Sequence, residues 1–292
     1  VWLHWSFQYI HLPLIVIDVQ RGGPSTGMPT KTEQTDLLQA MYGRNGESPV
    51  CVIAASTPAN CFDMAIEAVR LAVTHMTPVI YLSEGYLSSA SEPWKLPELS
   101  KLPKIEIKHP KTAGPEGYMP YSRDPKTLAR PWAIPGTPGL EHRIGGLSKA
   151  DLTGNVSYDP DNNQKMMNFR AEKVARIAND IPELTVRGPQ SGKVLVLGWG
   201  GSFGPIYQAV SEVEAGGVKV SQAHLHYINP FPKNLGAILK KFEKFLVPEL
   251  NSGHLAMLLR NQFPGTNILG LNKIQGQPFK VHEIVKKIKE VV

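Results

Sequence analysis

A glycine-rich loop with one arginine and several hydroxyl side chains follows the first apolar run of the chain. It extends from Arg21 to Thr30 and includes Ser25 and Thr26. A guanidinium can hold a carboxylate through two parallel hydrogen bonds, glycine lets the backbone approach a ligand closely, and hydroxyl groups donate further hydrogen bonds. The loop therefore has the composition of a site for a small organic acid.

From the residues alone, a purely structural role of this loop is about equally favoured. Arg21 would then pair with a structural acid, and residues 22–27 would only turn the chain. A phosphate-binding Walker loop is a poorer explanation, because no GK[ST] triplet follows the glycines. The pattern indicates an anion site or a turn, and it disfavours nucleotide hydrolysis.

The elements around the loop are typical of an α/β fold. The apolar run Leu14–Val19, bounded by proline and glycine, predicts a strand buried on both faces, as in a parallel sheet. Asn60 is a candidate N-cap for a helix that ends near His75, and residues 78–82 predict a second strand. The loop would then lie at the carboxyl end of the first strand, where open parallel sheets bind their ligands.

A second glycine-rich turn, Gly198–Gly204, joins a strand that begins at Lys193 to a helix near Pro205, and residues 218–227 predict the next strand. The third glycine of a GxGxxG pattern is displaced, since Phe203 stands in its place. No acidic residue ends the following strand, as dinucleotide binding would require. The turn is better explained as a tight strand-to-helix connection, which argues against a stand-alone nucleotide-binding protein.

Polar residues also follow a third strand, predicted over residues 245–249. Glu249 and Asn251 could support a cofactor or a subunit interface, but their spacing favours capping of a helix over residues 254–260, with Ser252 as a possible cap.

Less specific signals come from the alternating histidines His224 and His226, the two cysteines and the proline-rich middle of the chain. We expect ordinary packing or surface histidines, buried apolar thiols, and no metal site.

The remaining segments are a long irregular excursion and two helices. Prolines are frequent and periodicity is weak over residues 92–154, whereas residues 164–179 and 281–292 are amphipathic. The opening stretch, residues 1–19, contains polar interruptions, so it predicts the end of a helix and a strand and no membrane span. Because the chain begins with Val1, we expect it to start inside a longer protein.

Composition narrows the functional classes. The 292 residues are 42% hydrophobic and 19% charged, which is typical of a globular protein of about two domains. Two cysteines, Cys51 and Cys61, are too few for an iron–sulfur cluster or a zinc site within this chain, and a reducing cytoplasmic setting is the default. The net charge is +6, but the C-terminal lysines fall at helical spacing opposite apolar residues, as on a solvated helix face. Nucleic-acid binding is therefore disfavoured.

Several separated segments resemble the large (alpha) subunit of 2-oxoacid:ferredoxin oxidoreductases. They are DVQRGGPSTGMPTKTEQTDLLQAMYGRNGE, TPANCFDMAIEAVRLA, PVIYLSEGYL, RPWAIPGTPGLEHRIGGL, GNVSYDPDN, INPFP, VPELNSGHLAMLLR and NKIQGQPFKV. The resemblance extends from Leu12 to the C-terminus. It implies an α/β fold of two parallel-sheet domains: part of a pyrimidine-type thiamine-diphosphate-binding domain over residues 1–92, a connecting excursion and helix over residues 93–186, and a transketolase C-terminal-like domain over residues 187–292.

The resemblance also implies an activity and its cofactors. Members of this family oxidise a 2-oxoacid with coenzyme A to an acyl-CoA and carbon dioxide, and pass the electrons to ferredoxin. Thiamine diphosphate with Mg²⁺ would be bound mainly by a small (beta) partner subunit, which would also hold the 4Fe–4S cluster. This implies a cytoplasmic hetero-oligomer without nucleic acid or membrane. The segment TKTEQTDLLQA favours 2-oxoglutarate as the substrate.

By the same resemblance, Arg21 would bind the substrate carboxylate, and Thr26 and Thr30 would line the substrate pocket. Gly22, Gly23 and Ser25 would lie toward the cofactor. The glutamate that activates the cofactor, and the YPITP-type segment of the family, do not occur in these residues. The resemblance therefore implies an N-terminally truncated first domain, an activating glutamate outside this chain and an unknown set of catalytic residues within it. The alternatives are the same chemistry on pyruvate or a branched-chain 2-oxoacid, or a non-catalytic assembly module.

Overall fold

The computed structural model describes residues 11–292, which form two largely parallel β-sheets flanked by helices. The prediction of an α/β fold with two parallel sheets is confirmed. The predicted helix end within residues 1–10 lies outside the described residues. In chain order, the strands are β1 Leu14–Gln20, β2 Cys51–Ala54, β3 Pro78–Glu84, β4 Val186–Arg187, β5 Gly192–Trp199, β6 Ser221–Leu225, β7 Tyr227–Asn229, β8 Phe242–Glu249 and β9 Ile268–Asn272.

The helices lie between these strands and cover the sheets. The α-helices are α1 Leu37–Tyr42, α2 Pro58–His75, α3 Gly85–Ser89, α4 Pro160–Arg176, α5 Phe203–Ala215, α6 Leu235–Leu239, α7 His254–Gln262 and α8 Val281–Val291. Short 3₁₀ turns occur at Leu99–Lys101, Ile177–Asn179 and Gly200–Ser202. None of the helices formed by residues 11–292 is long and apolar enough to cross a membrane.

The two sheets differ in size, and the chain passes from the first to the second, returns to the first for one strand, and then completes the second. The first sheet has the order β1-β3-β2-β7, and the second has the order β4-β6-β5-β8-β9. Strands β7 and β4 are antiparallel to their neighbours, and the other pairs are parallel. The predicted strand over residues 218–227 is therefore two strands, because the chain leaves the second sheet after β6 and joins the first as β7. The domain boundaries at residues 92 and 186 stay a prediction.

Strand β1 lies at the edge of the first sheet, and this corrects one expectation. It pairs in parallel with β3 over its whole length. However, Ile17 is 60% exposed and Val19 is 48% exposed, so the strand is not buried on both faces. No described element covers this end of the outer face, whereas Val16 on the other face packs against the core. An apolar run alone does not distinguish a central strand from an edge strand.

Helix α2 starts earlier than predicted. Thr57, not Asn60, is the N-cap, and its hydroxyl oxygen accepts a hydrogen bond of 3.1 Å from the Asn60 backbone N–H. Pro58 occupies the first helical position, where its missing N–H is not needed. The Asn60 side chain instead reaches back and accepts a hydrogen bond of 3.0 Å from the Ser56 backbone N–H. Proline after threonine was the stronger local signal.

Replacing Thr57 by alanine should lower the free energy of unfolding by about 1 kcal/mol, since a helix N-cap of this kind is lost. Thr57→Ser keeps the hydroxyl and should be close to the wild type. Urea denaturation of both variants measures the difference. Equal stability of the alanine and serine variants would contradict the capping role.

The middle of the chain is an irregular excursion, as expected. Between α3 and α4 it contains one short 3₁₀ turn and a few isolated bridges. Helix α4 begins four residues before the predicted Gln164, because Asp159 caps it by accepting a hydrogen bond of 2.6 Å from the Asn162 backbone N–H. The predicted end at Asn179 corresponds to the end of the 3₁₀ turn that continues the helix. One core cluster includes residues from both sheets, so the sheets pack together.

Candidate functional site

The loop that follows β1 is closed on itself by backbone hydrogen bonds. The Gly22 N–H donates to the Lys31 carbonyl oxygen at 2.9 Å, and the Met28 N–H donates to the Gly22 carbonyl oxygen at 2.7 Å. Gly27 has a φ of +47°, and a Cβ there would lie 1.9 Å from the Gly22 carbonyl oxygen. A side chain at this position is excluded by the closure of the loop. Gly27 is thus required for the local structure, whereas a Cβ at Gly23 would meet nothing within 4 Å.

All six predicted site residues lie on this loop. Five of them are exposed, and Gly22 is buried; the exposed residues are Arg21, Gly23, Ser25, Thr26 and Thr30. Ser25 and Thr30 adopt left-handed conformations, with φ of 57° and 63°. Such conformations are uncommon for residues with a Cβ and cluster at ligand-binding sites. The individual roles assigned to these residues stay predictions.

Sequence reasoning missed the segment that anchors the loop. Thr32, Glu33 and Gln34 are buried, at 3%, 5% and 0% exposure. The Gln34 side chain donates to the Trp199 carbonyl oxygen at 2.8 Å and accepts from the Leu250 N–H at 3.0 Å. Its backbone N–H donates to the Leu250 carbonyl oxygen at 2.9 Å. Gln34 therefore fixes the loop to the carboxyl ends of β5 and β8 in the second sheet.

A second contact fixes the loop to the segment that follows β9. The Gly276 N–H donates to a Glu33 carboxylate oxygen at 3.2 Å. Glu33 also lies under the loop, since a Cβ at Gly22 would be 3.5 Å from the same oxygen. The loop that carries Arg21 follows a strand of the first sheet and is consequently held from below by contacts to the second.

The second glycine-rich turn is part of this junction. A Cβ at Gly200 would lie 2.4 Å from Gln34 Nε2, and a Cβ at Gly201 would lie 1.7 Å from Glu84 Oε1. The turn is the tight strand-to-helix connection that the sequence favoured. Its glycines are explained by close approach of the two sheets, which the spacing of the glycines alone did not indicate.

Glu84 is a buried carboxyl group at the carboxyl end of β3. It is 1% exposed. In the parallel ladder it lies opposite Gln20, which is the residue before Arg21. Neither carboxyl oxygen has a hydrogen-bond partner of ordinary geometry among the described residues. Burial raises the pKa of Glu84 to about 7, and the nearby Gly201 amide and Thr32 hydroxyl offset part of this rise. Glu84 is therefore largely protonated below neutral pH.

This raised pKa predicts a pH-dependent stability. Between pH 4.5 and 7 the folded chain retains a proton on Glu84 that the unfolded chain releases, so the stability contributed by the protonated group is lost as pH rises through this window. Above it, Glu84→Gln should be more stable than the wild type by about 2–3 kcal/mol. At pH 4 the two should differ little. Urea denaturation at both ends of the window provides the measurement, and a difference independent of pH would contradict the prediction.

Glu249 and Asn251 cap helix α7, as favoured from their spacing. The Glu249 carboxylate accepts hydrogen bonds from the backbone N–H groups of Leu255 at 2.7 Å and Ala256 at 3.0 Å. Asn251 Oδ1 accepts from the backbone N–H of residues 253 and 254. Ser252 was wrong as a cap, because Gly253 is the N-cap residue and two flanking side chains already accept the free N–H groups. Burial raises the pKa of Glu249.

The remaining polar candidates do not converge on a site. His226 lies with its Nδ1 at 3.2 Å from the Ala54 carbonyl oxygen, and burial lowers its pKa and that of His224. Cys51 is buried in the core, where burial raises the pKa of its thiol, and Cys61 is half-buried. Across residues 11–292, no group of three His, Cys, Asp or Glu side chains is placed to hold a metal ion.

Similarity to known proteins covers nearly the whole chain. A relative from Mycobacterium tuberculosis (strain ATCC 25618 / H37Rv), 2-oxoglutarate oxidoreductase subunit KorA, is 51% identical over 279 residues, which are 95% of this chain and 42% of the relative. The alpha subunit of 2-oxoacid:ferredoxin oxidoreductase 1 from Aeropyrum pernix is 29% identical over 96% of this chain and 44% of its own length. The chain thus spans less than half the length of these two relatives.

A solved structure has the same fold. It is 2-oxoglutarate:ferredoxin oxidoreductase from Magnetococcus marinus with 2-oxoglutarate, coenzyme A and succinyl-CoA bound, with a TM-score of 0.91 and 30% identity over 99% of this chain and 50% of that chain. Residues 5–157 match the family model described as pyruvate flavodoxin/ferredoxin oxidoreductase, thiamine diphosphate-binding. The chain belongs to this family of thiamine-diphosphate-binding oxidoreductases.

Proposed function

We propose that this chain is part of the alpha subunit of an enzyme that oxidises 2-oxoglutarate with coenzyme A to succinyl-CoA and carbon dioxide, and that reduces ferredoxin. The observation that carries the proposal is the exposed Arg21, on a closed loop at the carboxyl end of β1. The carboxyl ends of parallel strands are where such sheets bind ligands. The similarity to a protein named 2-oxoglutarate oxidoreductase subunit KorA supports this choice of substrate.

In this proposal, Arg21 holds the 1-carboxylate of the 2-oxoacid and fixes its orientation during decarboxylation. A planar guanidinium suits this role because it bonds both carboxylate oxygens at once. Thr26 and Thr30 face the substrate side chain and set which 2-oxoacid fits, whereas Gly22, Gly23 and Ser25 lie toward the cofactor. Because Gln34 and Glu33 anchor the loop, it does not have to become ordered when the substrate binds.

The described residues do not fit the Mg²⁺–diphosphate end of thiamine diphosphate. Mg²⁺ requires carboxylate or carbonyl ligands in near-octahedral geometry, and residues 11–292 present no cluster of acidic side chains for it. The loop after β1 offers a single guanidinium and hydroxyl groups, a set that suits a carboxylate. We therefore assign Mg²⁺ and the diphosphate to a small (beta) partner subunit.

The same partner would hold the 4Fe–4S cluster, because this chain has only two cysteines, on β2 and α2. The proposal thus requires a hetero-oligomer in the cytoplasm, with ferredoxin as the electron acceptor of the complex. The names of the relatives, which are subunits, support an assembly of more than one chain.

The proposal is tested with this chain co-expressed with its small subunit. Reduction of a viologen dye is measured with coenzyme A and thiamine diphosphate, using 2-oxoglutarate, pyruvate and a branched-chain 2-oxoacid in parallel. We expect turnover with 2-oxoglutarate and at least about tenfold lower kcat/KM with the others. Preference for another 2-oxoacid would correct the substrate.

Assembly without turnover would favour a non-catalytic assembly module. A complex built on the longer Mycobacterium tuberculosis relative, of which this chain spans 42%, provides the control. Activity only in that complex would place the activating group in the part of the relative that this chain does not match, and silence in both would refute the proposed activity.

A further inference from the structure

A cleft of about 450 Å³ opens beside strand β6 of the second sheet, and we call it the β6 cleft. Gln222 and His224 line it from β6, and because they are two residues apart on a strand, their side chains point to the same side. Phe203 and Tyr207, one turn apart at the start of helix α5, form a wall. The segment that leads into β4 supplies further lining. The cleft therefore lies where the carboxyl end of a parallel strand meets the start of a helix.

Aromatic rings follow one another along this cleft. The centre of the Phe203 ring lies 5.9 Å from that of Tyr207 and 5.1 Å from that of His224. The His224 ring is in turn 5.4 Å from that of His226. Tyr207 is 45% exposed and Phe203 is half-buried, so part of the row faces solvent. Rings in this arrangement offer a face on which a flat ligand can stack.

Two polar side chains of β6 have unused hydrogen-bonding capacity. Gln222 is 3% exposed, and its Nε2 donates to no acceptor among residues 11–292. Neither ring nitrogen of His224 has a partner of ordinary geometry in the same part of the chain. Buried polar atoms nearly always have a partner, so these neighbouring exceptions need an explanation. Both side chains end in a bond with a broad torsional preference, so rotation alone can turn their polar atoms toward a ligand.

These hydrogen-bonding groups are uncharged. Burial and the neighbouring His226 hold the pKa of His224 well below its usual range, and a contact with the Gly200 backbone offsets only part of this drop. A neutral imidazole presents one donor and one acceptor, and the Gln222 amide adds a donor. The β6 side of the cleft therefore matches the edge of a ring that itself carries donors and acceptors.

The acidic and basic side chains of the lining do not favour an anion. Arg187 on β4 forms a salt bridge of 2.9 Å with Glu214, and its guanidinium lies 4.4 Å from the centre of the Tyr207 ring. Its charge is thus already balanced within the chain. Glu183 is exposed in the lining, and a carboxylate there would repel a phosphate. A neutral ligand fits this arrangement better than a charged one.

We propose that the β6 cleft binds a neutral, planar heteroaromatic ring of purine size. The ring stacks on Phe203 and Tyr207, and its edge exchanges hydrogen bonds with Gln222 and His224. The volume of about 450 Å³ lies within the range of small-molecule sites. A nucleobase has this chemistry and needs no phosphate-binding loop. The site goes beyond the proposed decarboxylation, since its lining shares no residue with the loop after β1.

Isothermal titration of the full chain with adenosine tests the proposal. We expect saturable binding by the wild type and about tenfold weaker binding by Tyr207→Ala, because the stacking face is lost. Gln222→Met removes the amide at nearly constant volume and should weaken binding about fivefold. The matched control Tyr158→Ala removes a tyrosine that is 86% exposed outside the cleft, and it should bind like the wild type. Urea denaturation shows that Gln222→Met folds, and the exposed Tyr207 tests the proposal without that condition.

Titration with AMP at two salt concentrations identifies the source of the ring. AMP that binds as tightly as adenosine, independently of salt, indicates the base of a nucleotide whose phosphate stays in solvent, and weaker binding of AMP indicates a nucleoside. Tighter binding of AMP that weakens with salt would show phosphate recognition and overturn the proposal. Absence of adenosine binding at millimolar concentrations, or equal affinities of the wild type and Tyr207→Ala, would overturn it as well.

Discussion

Replacing Arg21 by alanine is expected to lower kcat/KM for 2-oxoglutarate about 100-fold or more in the complex with the small subunit. The expected loss corresponds to about 3 kcal/mol, which is typical for the removal of a charge-assisted, paired hydrogen bond to a substrate carboxylate. The effect should appear in both KM and kcat, because the guanidinium binds the acid and also orients it. Dye reduction over a range of 2-oxoglutarate concentrations separates the two parameters.

The control for this prediction is Arg21→Lys. Lysine keeps the charge but presents no planar pair of donors, so activity should recover only in part. Arg21 is exposed, so neither variant should change the urea midpoint. An alanine variant with wild-type kcat/KM, or one that loses activity only because it unfolds, would contradict carboxylate binding by Arg21. It would favour the structural role that the sequence left open.

Gly201→Ala is expected to destabilise the chain by about 2 kcal/mol through the junction of the two sheets. The added Cβ would lie 1.7 Å from Glu84 Oε1 and 2.9 Å from its Cδ, and Glu84 is buried with little space to move. Overpacking of an interior of this density typically costs 1–3 kcal/mol. The measurement is urea denaturation, with the midpoint and slope compared to those of the wild type.

Two further variants assign the effect to this contact. Gly204→Ala adds a methyl group three residues later, where nothing lies within 4 Å, and alanine in a helix should stabilise slightly. In a Glu84→Ala background, Gly201→Ala should cost much less, because the clashing carboxyl is gone. If Gly201→Ala costs as much in that background as in the wild type, the two effects are additive, the residues are not coupled, and the strain lies elsewhere.

The part of the site that sequence predicted is local. The apolar run before Arg21 located the strand and hence the loop at its carboxyl end, and the spacing of Glu249 and Asn251 indicated a helix cap. These inferences needed only residues close in sequence. The family resemblance then gave the fold class, which the structure confirms.

The part that sequence missed depends on contacts between distant residues. Gln34 bonds to the Trp199 carbonyl oxygen across 165 positions, and Glu84 meets Gly201 only because two sheets pack together. Gly200 and Gly201 indicated a tight turn in the sequence, but their spacing did not indicate which distant side chains approach it. The wrong cap at Asn60 had another cause, because Thr57 followed by proline is the better helix start and was overlooked.

Strand β7 makes the folding of the two sheets interdependent. In the sequence it lies between β6 and β8 of the second sheet, but it pairs with β2 of the first sheet, with Val52 opposite Asn229. A fragment that ends before the second sheet would leave β2 as an open edge, with unpaired backbone groups that promote aggregation. Pairing of segments so far apart in sequence also gives the fold a high contact order, so it should form slowly. The chain should thus unfold as one cooperative unit, and separate expression of its halves should yield insoluble protein.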